Sequence, residues 1–137
     1  MKIQKIETDK APKAIGPYSQ AIKAGSFLFL SGMLAIDPTL GKIVETTIEG
    51  QTRQIFHNIE EVLEAAGLHF GHVVRMEVFL KDLGDFQAMN EVYAKMFPQE
   101  AKPARHAFQV ARLPLDALIE ITCTAMIYTA ATPNSHF

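Results

Sequence analysis

Two amphipathic helical stripes set among period-two apolar runs predict an α+β fold. One mixed sheet of about six strands would carry two helices on one face, in two layers. Ile55, Phe56, Ile59, Val62, Leu63 and Ala66 form the first stripe; Phe86, Met89, Val92, Tyr93, Met96 and Phe97 form the second. The runs HVVRMEVFLKD, KPARHAFQV and IEITCTAMI alternate instead, as strands with one apolar face do.

The elements follow in order. KIQKIE alternates and reads as a short strand. In KAPKAIGPYSQ, Pro12, Gly16 and Pro17 exclude helix and leave an irregular, extended loop. AIKA and FLFLSG flank a turn at Ala24–Gly25–Ser26 and form a hairpin, and FLFL is apolar enough to expect burial on both faces. Asp37–Pro38 through Gly41 makes a turn before the short strand KIV. Thr46 with Glu49 has capping-box spacing for the first helix, and Gly67 stops it. In the next strand Val74, Met76, Val78 and Leu80 share one face; Pro98 ends the second helix. Ala104, His106, Phe108 and Val110 then oppose Arg105, Ala107 and Gln109. After the turn LPLDA, Ile119, Ile121, Cys123, Ala125 and Ile127 oppose Glu120, Thr122 and Thr124. The order is β-β-β-(β)-α-β-α-β-β. With no repeat or linker along the way, one domain is expected over 1–137. Two helices cover one sheet face. The other is expected to carry Arg105, Glu120 and apolar residues, and to be covered by self-association into a ring or barrel.

Composition narrows the function. The chain has 137 residues, 48% hydrophobic and 20% charged, enough for a sizeable core without staples. A formal net charge of −2 supplies no polybasic footprint, so nucleic acid is not the expected partner. One cysteine, Cys123, forms no internal disulfide and suits a reducing compartment. No run approaches the ~18 apolar residues of a membrane span. The N-terminal stretch lacks an apolar signal region, so a cytoplasmic protein is expected. No phosphate-cradling loop, nucleophile elbow or paired CxxC is present, so the chemistry is expected to run on side chains and water, without cofactor or metal.

Arg105 reads in two ways: a surface charge on an edge strand, or a planar fork beside small residues Ala104 and Ala107, shaped to grip a carboxylate. Glu120 lies between Ile119 and Ile121. It is either a solvated strand residue or a carboxylate in a half-dry cleft that positions or deprotonates a water. Tyr18 follows Pro17 as a loop anchor or ligand contact. Ser31 and Gly32 end the apolar strand at a bulge or at a close backbone approach to a ligand. Asn90 flanks the second stripe and fits helix–loop hydrogen bonding. Of the five histidines, His69 and His72 are three apart but lack a third ligand type nearby. His106 is expected to pack on the apolar face with Phe108, and Cys123 to be core. If LPLDA closes a tight hairpin, Arg105 and Glu120 fall on opposite faces of one subunit.

Five motifs then converge. A-I-G-P-Y-S-Q-A at 14–21, L-S-G at 30–32, D-F-Q-A-M-N-E-V-Y at 85–93, P-A-R at 103–105 and L-P-x-x-A-x-I-E-I at 113–121 resemble the RidA/YjgF family of enamine and imine deaminases. The resemblance spans essentially the whole chain in order. It implies a chorismate-mutase-like fold assembled as a homotrimeric barrel, with sites between subunits. By the same resemblance Arg105 binds the substrate carboxylate and Glu120 lies near the attacking water. Tyr18, Ser31 and Gly32 line the pocket, with Asn90 as support. Many bacterial members carry cysteine where this chain has Ala107, so a thiol is not expected in the reaction, and Ala107 would widen the pocket or make it more apolar. The implied activity is hydrolysis of 2-aminoacrylate-derived 2-imino acids, 2-iminopropanoate and 2-iminobutanoate, to 2-keto acids and ammonia. Two rivals are an RNA-binding or ribonuclease role, attributed to family members, and a non-catalytic trimer that binds small acids or acts as a holdase.

Overall fold

The computed structural model describes residues 2–128; Met1 and 129–137, including His136, lie outside the described residues. The strands are β1 (Ile3–Ile6), β2 (Ala21–Ala24), β3 (Phe27–Leu30), β4 (Ile36–Asp37), β5 (Lys42–Ile43), β6 (Val73–Leu80), β7 (Ala104–Gln109) and β8 (Ile119–Met126). The helices are α1 (Ile48–Ala65) and α2 (Phe86–Ala94). Six strands form one mixed sheet in the order β1-β2-β3-β8-β6-β7, and β4 and β5 pair separately. The β6–β7 pairing is parallel and the others are antiparallel. This is the two-layer α+β arrangement that the stripes and alternations predict.

The core lies between the helices and one sheet face. Ile55, Phe56, Ile59, Val62 and Leu63 of α1 meet Leu28, Met76, Val78, Ile119 and Ile121, all buried. Phe56 packs edge-on against Phe70 and Tyr93, both at 5.7 Å, and against Phe97 at 6.0 Å. Aromatic pairs of this geometry each add about 0.5–1.5 kcal/mol beyond their burial. Gly67, at φ +76, ends α1; its N–H donates to Glu64 O at 2.9 Å and that of Leu68 to Leu63 O at 2.8 Å. A left-handed residue at this point favours glycine. Cys123 is fully enclosed, and burial pushes its thiol up to about 12. Native protein is therefore expected to resist iodoacetamide at neutral pH and to react fully in urea, as mass spectrometry would read. Rapid native labelling would show that the helix–sheet layer opens.

Several expectations are corrected. The α1 cap is Thr47, whose hydroxyl accepts from Gly50 N at 3.0 Å; Thr46 stands one residue too early. Val74 is exposed and Val73 is buried, because an irregularity between Val73 and Arg75 shifts the phase of β6. The helical run stops at Ala94, before Met96 and Phe97, although Phe97 remains buried. FLFL is covered on one face only: Leu28 and Leu30 are buried, while Phe27 and Phe29 are 41% and 47% exposed on the face opposite the helices. His106 and Phe108 stand on that open face rather than in the core, stacked with ring centroids 4.6 Å apart and aligned with Glu77 and Phe79. The LPLDA segment forms a 3₁₀ turn and closes no hairpin, since β6 lies between β7 and β8. Arg105 pairs with Met76 and lies in the helix-facing row, so it does not belong to the uncovered face.

Candidate functional site

The expected site residues fall into two groups on opposite faces of the sheet. Across the strands, Arg105 aligns with Met76 and Cys123, whereas Glu120 aligns with Phe79 and Phe108. Parity therefore separates them within one chain.

The first group sits at the β7 margin beside α2. Arg105 Nη1 donates to Asn90 Oδ1 at 2.6 Å. The guanidinium carbon lies 4.6 Å from the Tyr93 ring centroid and 5.4 Å from that of Phe86. Phe86, Asn90 and Tyr93 occur at i, i+4 and i+7, which places them on one flank of α2. This cradle fixes the plane of a side chain that is otherwise long and mobile. Among the described residues no carboxylate pairs with Arg105. Its remaining donors face an open cavity of about 390 Å³ lined by Asn90, Tyr93, Phe97, Lys102, Pro103 and Arg105. Burial raises the Tyr93 phenol above its ordinary range, with Arg105 opposing that shift. The helical stripe predicts Phe86 and Tyr93 as core, and they also flank the arginine; their spacing around Asn90 is the only local mark of that second role. Ala107 lies in the same row but packs half-buried against the core opposite Val78 and outside the cavity lining.

The second group surrounds a concavity of about 400 Å³, where Tyr18, Ser31, Gly32 and Glu120 meet Met33 and Leu34. The loop that carries Tyr18 is tied down by buried Gln20. Its amide accepts from Thr8 N at 2.8 Å and donates to Pro12 O at 2.7 Å. Tyr18 itself is 53% exposed, and its hydroxyl accepts from Ile15 N at 3.3 Å. The Ser31 hydroxyl donates to Ser19 O at 2.5 Å. Half-burial raises the Glu120 carboxyl above the usual carboxylate range. Desolvation disfavours its charge, which makes the ionised form a better proton acceptor. A larger, polar concavity of about 590 Å³ adjoins through Tyr18 and Gln20, bordered by Lys5, Glu7, Asp9 and Lys13. It is an exposed cleft of mixed charge and holds neither Arg105 nor Glu120.

His69 and His72 cap a turn: His69 Nδ1 accepts from Gly71 N at 3.0 Å and His72 Nδ1 from His69 N at 3.2 Å. Among the described residues, no group of three or more His, Cys, Asp or Glu could hold a metal ion. No helix among them is long and apolar enough to cross a membrane.

A family model described as endoribonuclease L-PSP matches residues 8–127. The chain belongs to the RidA/YjgF family. A RutC family protein of Pyrococcus horikoshii is 57% identical over 120 residues, covering 88% of this chain and 94% of that protein. The 2-iminobutanoate/2-iminopropanoate deaminase of Capra hircus is 45% identical over 121 residues and covers 88% of each. The crystal structure of E. coli TdcF with bound serine superposes with a TM-score of 0.87 at 41% identity, covering 91% of this chain and 99% of that one.

Proposed function

We propose that this RidA/YjgF member is a cytoplasmic, cofactor-free deaminase. It would hydrolyse 2-imino acids derived from 2-aminoacrylate, such as 2-iminopropanoate and 2-iminobutanoate, to 2-keto acids and ammonia. The observation that carries the reading is Arg105: a cation without an acidic partner among the described residues, oriented by Asn90, Tyr93 and Phe86 toward an open cavity. A bidentate fork held in that way suits a small carboxylate. The relative named for imine deamination and the family structure holding an amino acid support the same ligand class.

The second half of the site would come from another copy. The open face, with Phe27, Phe29 and Phe108 between 41% and 47% exposed, calls for cover, and a cyclic trimer would supply it. In that assembly Arg105 of one subunit faces Glu120, Tyr18, Ser31 and Gly32 of the next. Arg105 pins the carboxylate and Glu120 takes a proton from water as its oxygen bonds to the C=N carbon. That proton passes to the imine nitrogen to give the carbinolamine. Glu120 then carries the carbinolamine hydroxyl proton to the same nitrogen, the C–N bond breaks as C=O forms, and ammonia leaves with the keto acid behind. Such imines also hydrolyse unaided, so positioning and one general base are sufficient machinery.

The test is release of 2-keto acid from freshly generated 2-aminoacrylate. Acceleration above the uncatalysed rate supports the reading; keto-acid formation at background rate sinks it. The family's ribonuclease description favours a second reading, which requires salt-sensitive RNA binding. A net charge of −2 argues against it, and RNA cleavage without deamination would establish it.

Glu120→Gln is expected to lower kcat by about 10²-fold while changing KM little, the magnitude of a lost general base. The wild-type kcat should fall as pH drops through a value above the ordinary carboxylate range, because the base must be ionised. The stability effect has the opposite sign. A raised folded pKa means the native state binds the proton more tightly, so stability declines as pH rises through that window. The glutamine variant should therefore be at least as stable as wild type at neutral pH by thermal denaturation. Unchanged turnover would make Glu120 merely structural.

A further inference from the structure

Gly32 is needed for clearance. Its φ lies outside the left-handed region, so the backbone there admits any residue. A Cβ at this position, however, would stand 2.5 Å from Glu120 Oε2, 3.0 Å from Cδ and 3.4 Å from Cγ. The nearest of these is far inside van der Waals contact.

The backbone on both sides of Gly32 is tied to β8. On one side Met33 N–H donates to Ile121 O at 2.7 Å, and Ile121 N–H donates back to Met33 O at 3.1 Å. On the other, the Thr122 hydroxyl donates to Leu30 O at 2.5 Å. Both ties reach β8 at the two residues following Glu120. The segment from Leu30 to Met33 is thereby held to the strand that carries the carboxylate, and the flexible end of Glu120 is the part that yields most cheaply.

We propose that Gly32 is a positioning residue: its missing side chain forms the slot that holds the Glu120 carboxylate against the Ser31–Met33 backbone, facing the concavity shared with Tyr18 and Ser31. The proposal rests on the reading of Glu120 as the base that acts on water. It replaces a pocket-wall role for Gly32 with one exercised through Glu120. The slot also accounts for desolvation of that carboxyl, since backbone lies where water would otherwise reach it.

The test is a double-mutant cycle of Gly32→Ala and Glu120→Ala, read by deamination kinetics and thermal unfolding. Gly32→Ala is expected to lower kcat by about 10²-fold with little change in KM, as a misplacement of ~1 Å does. It should also move the acid limb of kcat to lower pH, because the displaced carboxylate becomes more hydrated. Adding Gly32→Ala to Glu120→Ala should cost no further kcat and no further melting temperature, since the group it collides with is gone. If Gly32→Ala alone fails to fold, recovery of folding in the double variant supports the slot. Equal losses in both backgrounds, or an unmoved acid limb with full kcat in Gly32→Ala, overturn the proposal. Wild-type turnover in Glu120→Ala alone overturns the general-base reading and the positioning role with it, and that variant tells the two failures apart.

Discussion

Arg105→Ala is expected to lose about 10²- to 10³-fold in kcat/KM toward 2-imino acids, the equivalent of roughly 3–4 kcal/mol of transition-state binding. Among the described residues the guanidinium has one hydrogen-bond partner, Asn90, and it stands over two rings of α2. Its other donors are left for a ligand. Removing it deletes a charge-assisted fork, and the other cation lining the cavity, Lys102, is a point charge whose ammonium already donates to Phe97 O and Gln99 O, each at 2.7 Å. Stability should change little, because Arg105 is exposed and such ring contacts at exposed sites are worth about 0.5–1 kcal/mol. A melting temperature near wild type with lost turnover would assign the defect to binding and orientation. Arg105→Lys should recover part of KM and less of kcat, since a point charge attracts the carboxylate without fixing its plane. Near-wild-type turnover in Arg105→Ala would remove the anchor model.

Much of the fold was legible because its signals are local. The stripe from Ile55 to Leu63 announces α1, Gly67 its end, and the alternation in IEITCTAMI the buried row of β8. The misreadings trace to non-local causes. Strict alternation puts Val74 in the buried row because it ignores a register shift, and that shift is set by pairing with β8. Phe27 and Phe29 looked like core because an apolar run does not say which element covers each face.

The site was legible by residue type and not by place. Alternation puts Arg105 on the open face because the bulky His106–Phe108 row looks like the core side. In the structure those rings stand on the open face and small Ala107 joins the helix-facing row, and nothing in LPLDA shows that β7 and β8 are kept apart. A parallel strand inserted between them, β6, is a long-range event with no local mark. The aromatic cradle is hidden for a different reason: Phe86 and Tyr93 serve the core and the arginine at once, and periodicity shows the first role only. The separation of Arg105 from Glu120 follows from side-chain alternation across three paired strands. It is also what moves the proposed site from one chain to two.

That two-chain site is the central claim, and mixed oligomers test it most directly. Arg105→Ala and Glu120→Gln subunits, each nearly inactive alone, would be unfolded together in equal amounts and refolded. If every site takes its arginine from one copy and its carboxylate from the next, random mixing rebuilds an intact pair in roughly a quarter of the sites of a cyclic assembly. Deaminase activity should then rise from near zero to about a quarter of the wild-type value. Activity that stays at the level of the separate variants, in mixed oligomers verified by native mass spectrometry, would contradict the account.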